Sequence, residues 1–394
     1  MNKISKQFLL TLIAVLSFAL LCETFYFRHE IKSVVKNRYH SARAFIKDAK
    51  KIDNFVDSDI RPNSVIIFEP NIYHFECMPG YIKYFLDLGY NVDVLISTGY
   101  DESLERAEFK NDLRIFEFDR LEDLNFFSSK VSDKLAKYDY SLIHSADVSK
   151  KEIINNLGYL KNPNSLFVVH DTVAIEKLGL EGFNSKGQVF TLADYGIANY
   201  VNPNYFGEIT PHEKNDVTTF FITSTVGRDY LPLVKAVKAL TSQGINLKVE
   251  VTGHSSNFSK DSVPDDLQKY FEFHGKVPYQ KMYSLIENSD YVIVNLDSAI
   301  KGDLPFKTTR ATGSAQLAYG FAKPMIISSD FASTYKLTGD TAIKYENDDI
   351  LSAIKTAVEL DKNQYRIMRQ NMISLCKNIY DTCLENVRKV IGTK

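Results

Sequence analysis

YVIVNLDSAIKGDLPFKTTRATGSAQLAYGFAKPMII, residues 291–327, opens and closes on a short apolar run and holds between them a polar loop leading into a short helix pattern. Neither run alternates polar with apolar, which marks a strand buried on both faces of a parallel sheet. In open α/β sheets ligands sit beyond the carboxyl ends of the strands. The loop, rich in Thr, Gly, Ser and Lys, therefore stands where such a sheet meets its ligand.

The same pattern recurs upstream. VTTFFITS (217–224), a helical segment at 230–244, NLKVEVTG (246–253), YFEFHG (270–275) and a helical segment at 279–289 lead into YVIVNL. An earlier series runs SVIIFE (64–69), the helical PGYIKYFLDLG (79–89), NVDVLIS (91–97), RIFEF (114–118), YSLIHS (140–145), SLFVVHD (165–171) and YGIANYV (195–201). Strands alternating with helices predict a doubly wound α/β domain in each series. The expected fold is α/β, two tandem Rossmann-like domains over 61–205 and 206–361 facing a central cleft. The polar stretch 202–216 links them, and the helical segment 362–394 crosses back.

Lys plus Arg (47) and Asp plus Glu (49) nearly cancel, so no basic field exists to hold nucleic acid and any phosphate site must be local. Cys22, Cys77, Cys376 and Cys383 form no C-x-x-C pair, which argues against a zinc knuckle or a disulfide framework.

Residues 8–22, FLLTLIAVLSFALLC, carry no charge, and ETFYF extends the run to Phe27. That length suits a bilayer span. Lys3 and Lys6 precede it, while Arg28, Lys32, Lys36, Arg38 and Arg43 follow it, so the positive-inside rule keeps the bulk of the chain cytoplasmic. The expectation is an uncleaved, single-pass anchor over 1–27 and a charged stalk over 28–60. A cleaved signal peptide with Ser17 and Ala19 near the cut, and a merely interfacial helix, are the alternatives.

Chemistry should collect at the strand ends. After VTTFFITS, Gly227 permits a tight turn, and Arg228 and Lys235 fall near the start of the next helix, where free N–H groups favour an anion. Gly313 and Ser314 open another helix, with Lys307 and Arg310 nearby to offset phosphate charge. In the first domain His74 and Glu76 lie between strand and helix, a base-competent pair for an acceptor hydroxyl, and His144, His170 and Asp171 also end strands.

The order strand-G-R-helix, strand-x-G, F-x-G-x-V-helix, SDYVIVNLDS and helix-G-x-x-K-P-strand over about 217–360 resembles the carboxyl-terminal domain of GT-B glycosyltransferases, particularly the retaining, group 1 (family 4-like) nucleotide-sugar enzymes. The resemblance implies donor-diphosphate contacts from Gly227, Arg228 and Lys235, and nucleobase contacts from Gly275 and Val277. Those relatives carry two glutamates eight residues apart between the strands that correspond to YVIV and PMII. Here no Glu occurs from Tyr291 to Tyr345, and Gln316 stands as a substitute for a ribose-binding carboxylate. With the anchor read from residues 8–27, the resemblance implies a membrane-anchored glycosyltransferase using a nucleotide-sugar co-substrate and a glycan or lipid-linked acceptor in cell-envelope polysaccharide or glycoconjugate synthesis, with neither metal nor resident cofactor. The rival readings are a catalytically inactive membrane-anchored scaffold of the same fold, and a secreted α/β binding protein with a cleaved signal.

Overall fold

The computed structural model describes residues 28–392, apart from 72–73, 99–103, 105–106, 108, 110–112, 148, 150, 226, 256 and 347–348, with side chains described from Arg43 onward. The expected anchor at 8–27 lies outside the described residues. Among the described residues, no helix is long and apolar enough to cross a membrane.

Two parallel sheets form the two domains, as the alternating pattern implies. The first contains β1 (Ser64–Phe68), β2 (Asn91–Ser97), β3 (Leu113–Phe118), β4 (Tyr140–Ile143), β5 (Ser165–Val169), β6 (Val189–Thr191) and β7 (Asn199–Tyr200), in the order β3-β2-β1-β4-β5-β6-β7. The second contains β8 (Thr218–Ser224), β9 (Leu247–Gly253), β10 (Phe271–Gly275), β11 (Tyr291–Val294), β12 (Met325–Ser328) and β13 (Ala342–Tyr345), in the order β10-β9-β8-β11-β12-β13. Each order reverses once, between β1 and β4 and between β8 and β11, and such a reversal opens a crevice at the strand ends. The central strands β1, β5, β11 and β12 are buried at every position, which explains their unbroken apolar runs. YGIANYV shrinks to the two-residue β7, and its place beside β5 is taken by Val189–Thr191.

The charged segment read as a stalk differs from that expectation. Residues Arg28–Asp57 form one helix whose last turns belong to the first domain: Ile52 and Phe55 are fully buried, and the Asp48 carboxylate accepts the N–H groups of Asp119 and Arg120 just beyond β3. Only a few inward positions carry that contact, so the surrounding charges conceal it. The long helix Lys362–Ile391 begins on the second domain, where Tyr365 donates to the Asp290 carbonyl. It ends on the first, where the Tyr90 hydroxyl donates to the Ile391 carbonyl at 2.9 Å.

Between the sheets the connecting segment runs against one helix of each domain. A Cβ on Gly80, in the helix Met78–Asp87, would meet the Pro203 backbone at 2.5 Å, and one on Gly320, in the helix Gly313–Gly320, would meet the buried Phe206 ring at 2.1 Å. Neither has a positive φ, so close approach alone selects glycine here. Tyr81 and Tyr84 fix the segment by donating to the carbonyls of Val201 and Asn202. Gly80→Ala is expected to destabilise the protein by about 1–3 kcal/mol through overpacking. Urea denaturation checks this; an unchanged midpoint would mean that the connection yields to fit the methyl group.

Candidate active site

The carboxyl ends of both sheets face a cleft of about 990 Å³. On the wall of the second domain, β8 leads into Thr225, Gly227 and Arg228. Gly227 takes φ +87°, a conformation that glycine adopts without the strain of a side chain. The helix Gly313–Gly320 starts at the same wall without a side-chain cap from Thr312, and the hydroxyls of Ser314 and Thr223 lie 2.7 Å apart. Helix-entry N–H groups and a guanidinium thus share one wall, the arrangement that holds an anion. Arg228 is not idle: it pairs with the buried Asp303 carboxylate and lies 4.6 Å over the Phe306 ring. Asp303 in turn accepts the Asp297 N–H at 3.0 Å.

The wall of the first domain holds imidazoles and carboxylates from the ends of β1, β4 and β5. His74 adopts φ +67° and stacks on His170 with ring centroids 3.9 Å apart. Burial, then the neighbouring His74 and His144, push the His170 pKa well below its ordinary value, so this ring is neutral near pH 7. For His74 burial also opposes the charge, yet Glu76, Glu69 and Asp147 outweigh it and its pKa is raised. Burial would raise Glu76, but His74 and the Tyr279 hydroxyl, which donates to it at 3.1 Å, carry it below its ordinary value. Burial raises Asp147, whose Oδ2 accepts the Asp171 N–H at 3.1 Å and whose buried Oδ1 has no hydrogen-bond partner among the described residues. Behind them Glu69 binds His144 and Ser145, each at 2.6 Å.

A clasp crosses the mouth. Thr172 donates its N–H to the Thr309 carbonyl at 2.9 Å, Ala311 donates to the His170 carbonyl at 3.3 Å, and between them Arg310 pairs with Asp171 at 2.7 Å.

Of the residues singled out from sequence, His74, Glu76, His170, Asp171, Gly227, Arg228, Arg310, Gly313, Ser314 and Gln316 line this one cleft. Five do not, His144 among them, which is buried behind the wall on Glu69. Lys235 is exposed on the helix Leu231–Thr241, Gly275 ends the edge strand β10 with Val277 just beyond it, and Lys307 is exposed with its carbonyl accepting from Thr334. Gln316 reaches the cleft floor, but its amide is committed to Asn202 by reciprocal bonds of 2.8 and 2.9 Å, so it is not free to replace a carboxylate on a ribose. Sequence reasoning misses Asp147, Tyr279 and Asp303. The strand-end rule covers Asp147, in the SADVS that follows β4, whereas Asp303 lies deep in the loop after β11, where no spacing singles it out.

Glu250, Glu272 and His274 bring potential metal ligands within 4.8 Å of one another, away from the cleft lining. Lys248 bonds both carboxylates there, at 2.7 and 2.5 Å, so an ammonium already supplies the positive charge.

No protein-family model matches the chain, and no curated protein sequence matches it. Solved structures do. A glycosyltransferase from Rickettsia africae ESF-5 superposes with a TM-score of 0.56 and 13% identity, covering 84% of this chain and 98% of that one. WaaG, a glycosyltransferase involved in lipopolysaccharide biosynthesis, gives 0.48 at 8% identity (84% and 100% covered), and HepE of Anabaena in complex with UDP and glucose gives 0.47 at 12% (82% and 97% covered). The fold assignment rests on the first of these and on the strand order. The chain has the two-domain fold of the GT-B glycosyltransferases.

Proposed function

We propose that the protein is a glycosyltransferase that moves a sugar from a nucleoside diphosphate donor to a hydroxyl of a glycan or lipid-linked acceptor, held at the cytoplasmic face of a membrane by its amino-terminal segment. The observation that carries the catalytic reading is the facing of two unlike walls across one cleft. Helix-entry N–H groups at Gly313 and Ser314, with Arg228, suit a departing diphosphate on one side. Opposite them, His74, His170 and Asp147 suit an acceptor hydroxyl. A scaffold that had lost catalysis would have no need of a buried, unpartnered carboxylate oxygen and a neutral imidazole at the cleft.

Within this reading the chain's residues divide the work. Arg228 and the helix entry accept negative charge as the sugar–phosphate bond breaks, Asp303 and Phe306 hold the guanidinium in place, and His74 takes the acceptor proton while Glu76 orients and supports it. The donor site draws on Gly227, Gly313 and Ser314 and dispenses with Lys235 and Lys307.

A thermal-shift screen of the full chain in detergent against nucleoside diphosphates tests the donor. A true ligand at a hundred times its Kd adds about 2.7 kcal/mol and raises Tm by several degrees. No shift with any base would defeat the proposal.

Gly313→Val should abolish that shift and sugar transfer together, while leaving the ligand-free Tm within about a degree. A Cβ at Gly313, which lines the cleft, meets nothing within 4 Å, so a side chain begins in open space there. Retained nucleotide affinity, measured by calorimetry, would remove the helix entry from the donor site.

Protonation supplies a further check. If neutral His74 is the base, transfer rises with pH through the His74 pKa, which Glu76 helps to raise. Glu76→Gln should therefore move the acid limb of the kcat/KM profile to lower pH. An unmoved limb would exclude His74 as the titrating group.

A further inference from the structure

The helix Arg28–Asp57 has a second face that the domain does not use. Its inward side buries Asp48, Ile52 and Phe55. Arg28, Lys32, Lys36, Arg43 and Lys50 recur at intervals of four and seven, which places these positions on one side of a helix, away from the buried one. Ile46 shares that side and is 45% exposed. Arg43 and Lys50 are exposed and have no ion-pair partner among the described residues, unlike Lys47, which bonds Asp119 at 2.9 Å.

Phe45, about 100° around the helix from Ile46 and on the flank nearer the buried side, joins an aromatic cluster. Phe126 is 71% exposed, the highest value among the exposed large apolar side chains described. Phe45 meets it edge-on at 5.3 Å and stacks on Phe127 at 5.6 Å, while the Lys130 ammonium, 6.0 Å from the Phe127 ring centroid, pairs with Asp53 at 3.4 Å. An exposed ring flanking a helix with a basic outer face matches the headgroup layer of an anionic bilayer, where the ring buries apolar area and cations meet lipid phosphate. A second copy of this chain fits the surface poorly, because symmetric pairing would set one basic stripe against another. The uncharged run 8–22 lies just ahead of this helix in sequence, so the surface belongs to the described segment nearest that run.

We propose that the outer face of the helix Arg28–Asp57, together with Phe126, docks along an anionic lipid surface. This contact is separate from any insertion of residues 8–27 and does not depend on the glycosyltransferase reading. The first domain then rests on the bilayer through its β3 side, because the Asp48 carboxylate ties this helix to the backbone just beyond β3.

The chain contains no tryptophan, so Phe126→Trp in the full chain introduces a single indole reporter. Its emission is read on protein floated with vesicles of phosphatidylcholine alone or with added phosphatidylglycerol, each containing brominated lipid. In the anionic vesicles the emission should shift to the blue and be quenched at least about twofold more than in the neutral ones, and high salt should reverse both changes. Adding Arg43→Glu and Lys50→Glu should lower the preference for anionic vesicles by about fivefold per position, with the Tm unchanged because both sites are exposed. Three results overturn the proposal: water-like emission in both vesicles, equal quenching in both, or a blue shift without lipid that grows with protein concentration, which would assign the surface to self-association.

Discussion

The space left by two missing Cβ atoms governs the relation between the domains. Gly80 and Gly320 allow the connecting segment to press against a helix of each sheet, and Pro203 and Phe206 occupy the room that side chains would have taken. Interiors packed at crystal-like density transmit such constraints, since no neighbour can move without opening a void. Asn202 extends this contact to the cleft, joining its amide to Gln316 on the floor and to the Leu192 carbonyl at 2.6 Å. The apposition of the two walls is therefore set from beneath, in buried packing.

The rim is held much more weakly. The Asp171–Arg310 pair is half exposed on its arginine side, and an exposed ion pair contributes about 0–1 kcal/mol. Among the described residues, further bonds between the domains near the surface include two backbone contacts near 3 Å, the Tyr279–Glu76 hydrogen bond and the exposed Lys336–Asp194 pair at 3.1 Å. Each of the hydrogen bonds contributes about 1 kcal/mol net. Separation of the walls would break these contacts first and leave the hinge packing in place, a distribution suited to a cleft that must admit a large ligand. Asp171, singled out from sequence as a strand-end candidate beside His170, thus has a physical task in the ligand-free protein that needs no chemistry.

The architecture was legible because strands buried on both faces must be apolar throughout, and that requirement appears as runs such as SVIIF and YVIV. Positions at strand ends followed from the same logic, which is why His74, His170, Gly227, Arg228 and Gly313 meet in one cleft. Pairings distant along the chain left no local trace. Gln316 meets Asn202 across 114 residues, and no periodicity announces that its amide is already satisfied. The docking of the helix Arg28–Asp57 was hidden for a related reason: a few inward positions among many charges look like a solvated stalk until β3 is placed beside them.

The Arg228–Asp303 pair bears most directly on how the donor wall works. A buried ion pair costs desolvation of both partners, and removing one of them strands the other at a cost of about 3–5 kcal/mol. Arg228 is therefore a fold element as well as the cation of the proposed donor site, and truncating it would confound the two roles. Asp303 accepts the Asp297 N–H with its second oxygen, a bond that would hold it in place were the guanidinium to turn toward another anion. Phe306 supplies a flat surface beneath that turn, at a distance suited to cation–π attraction. The wall thus holds its cation ready by balancing it against an anchored carboxylate. In the proposed reaction, a phosphate at the Gly313 helix entry would compete with Asp303 for a guanidinium that is already largely desolvated, and much of the cost of burying the charge would have been met in folding.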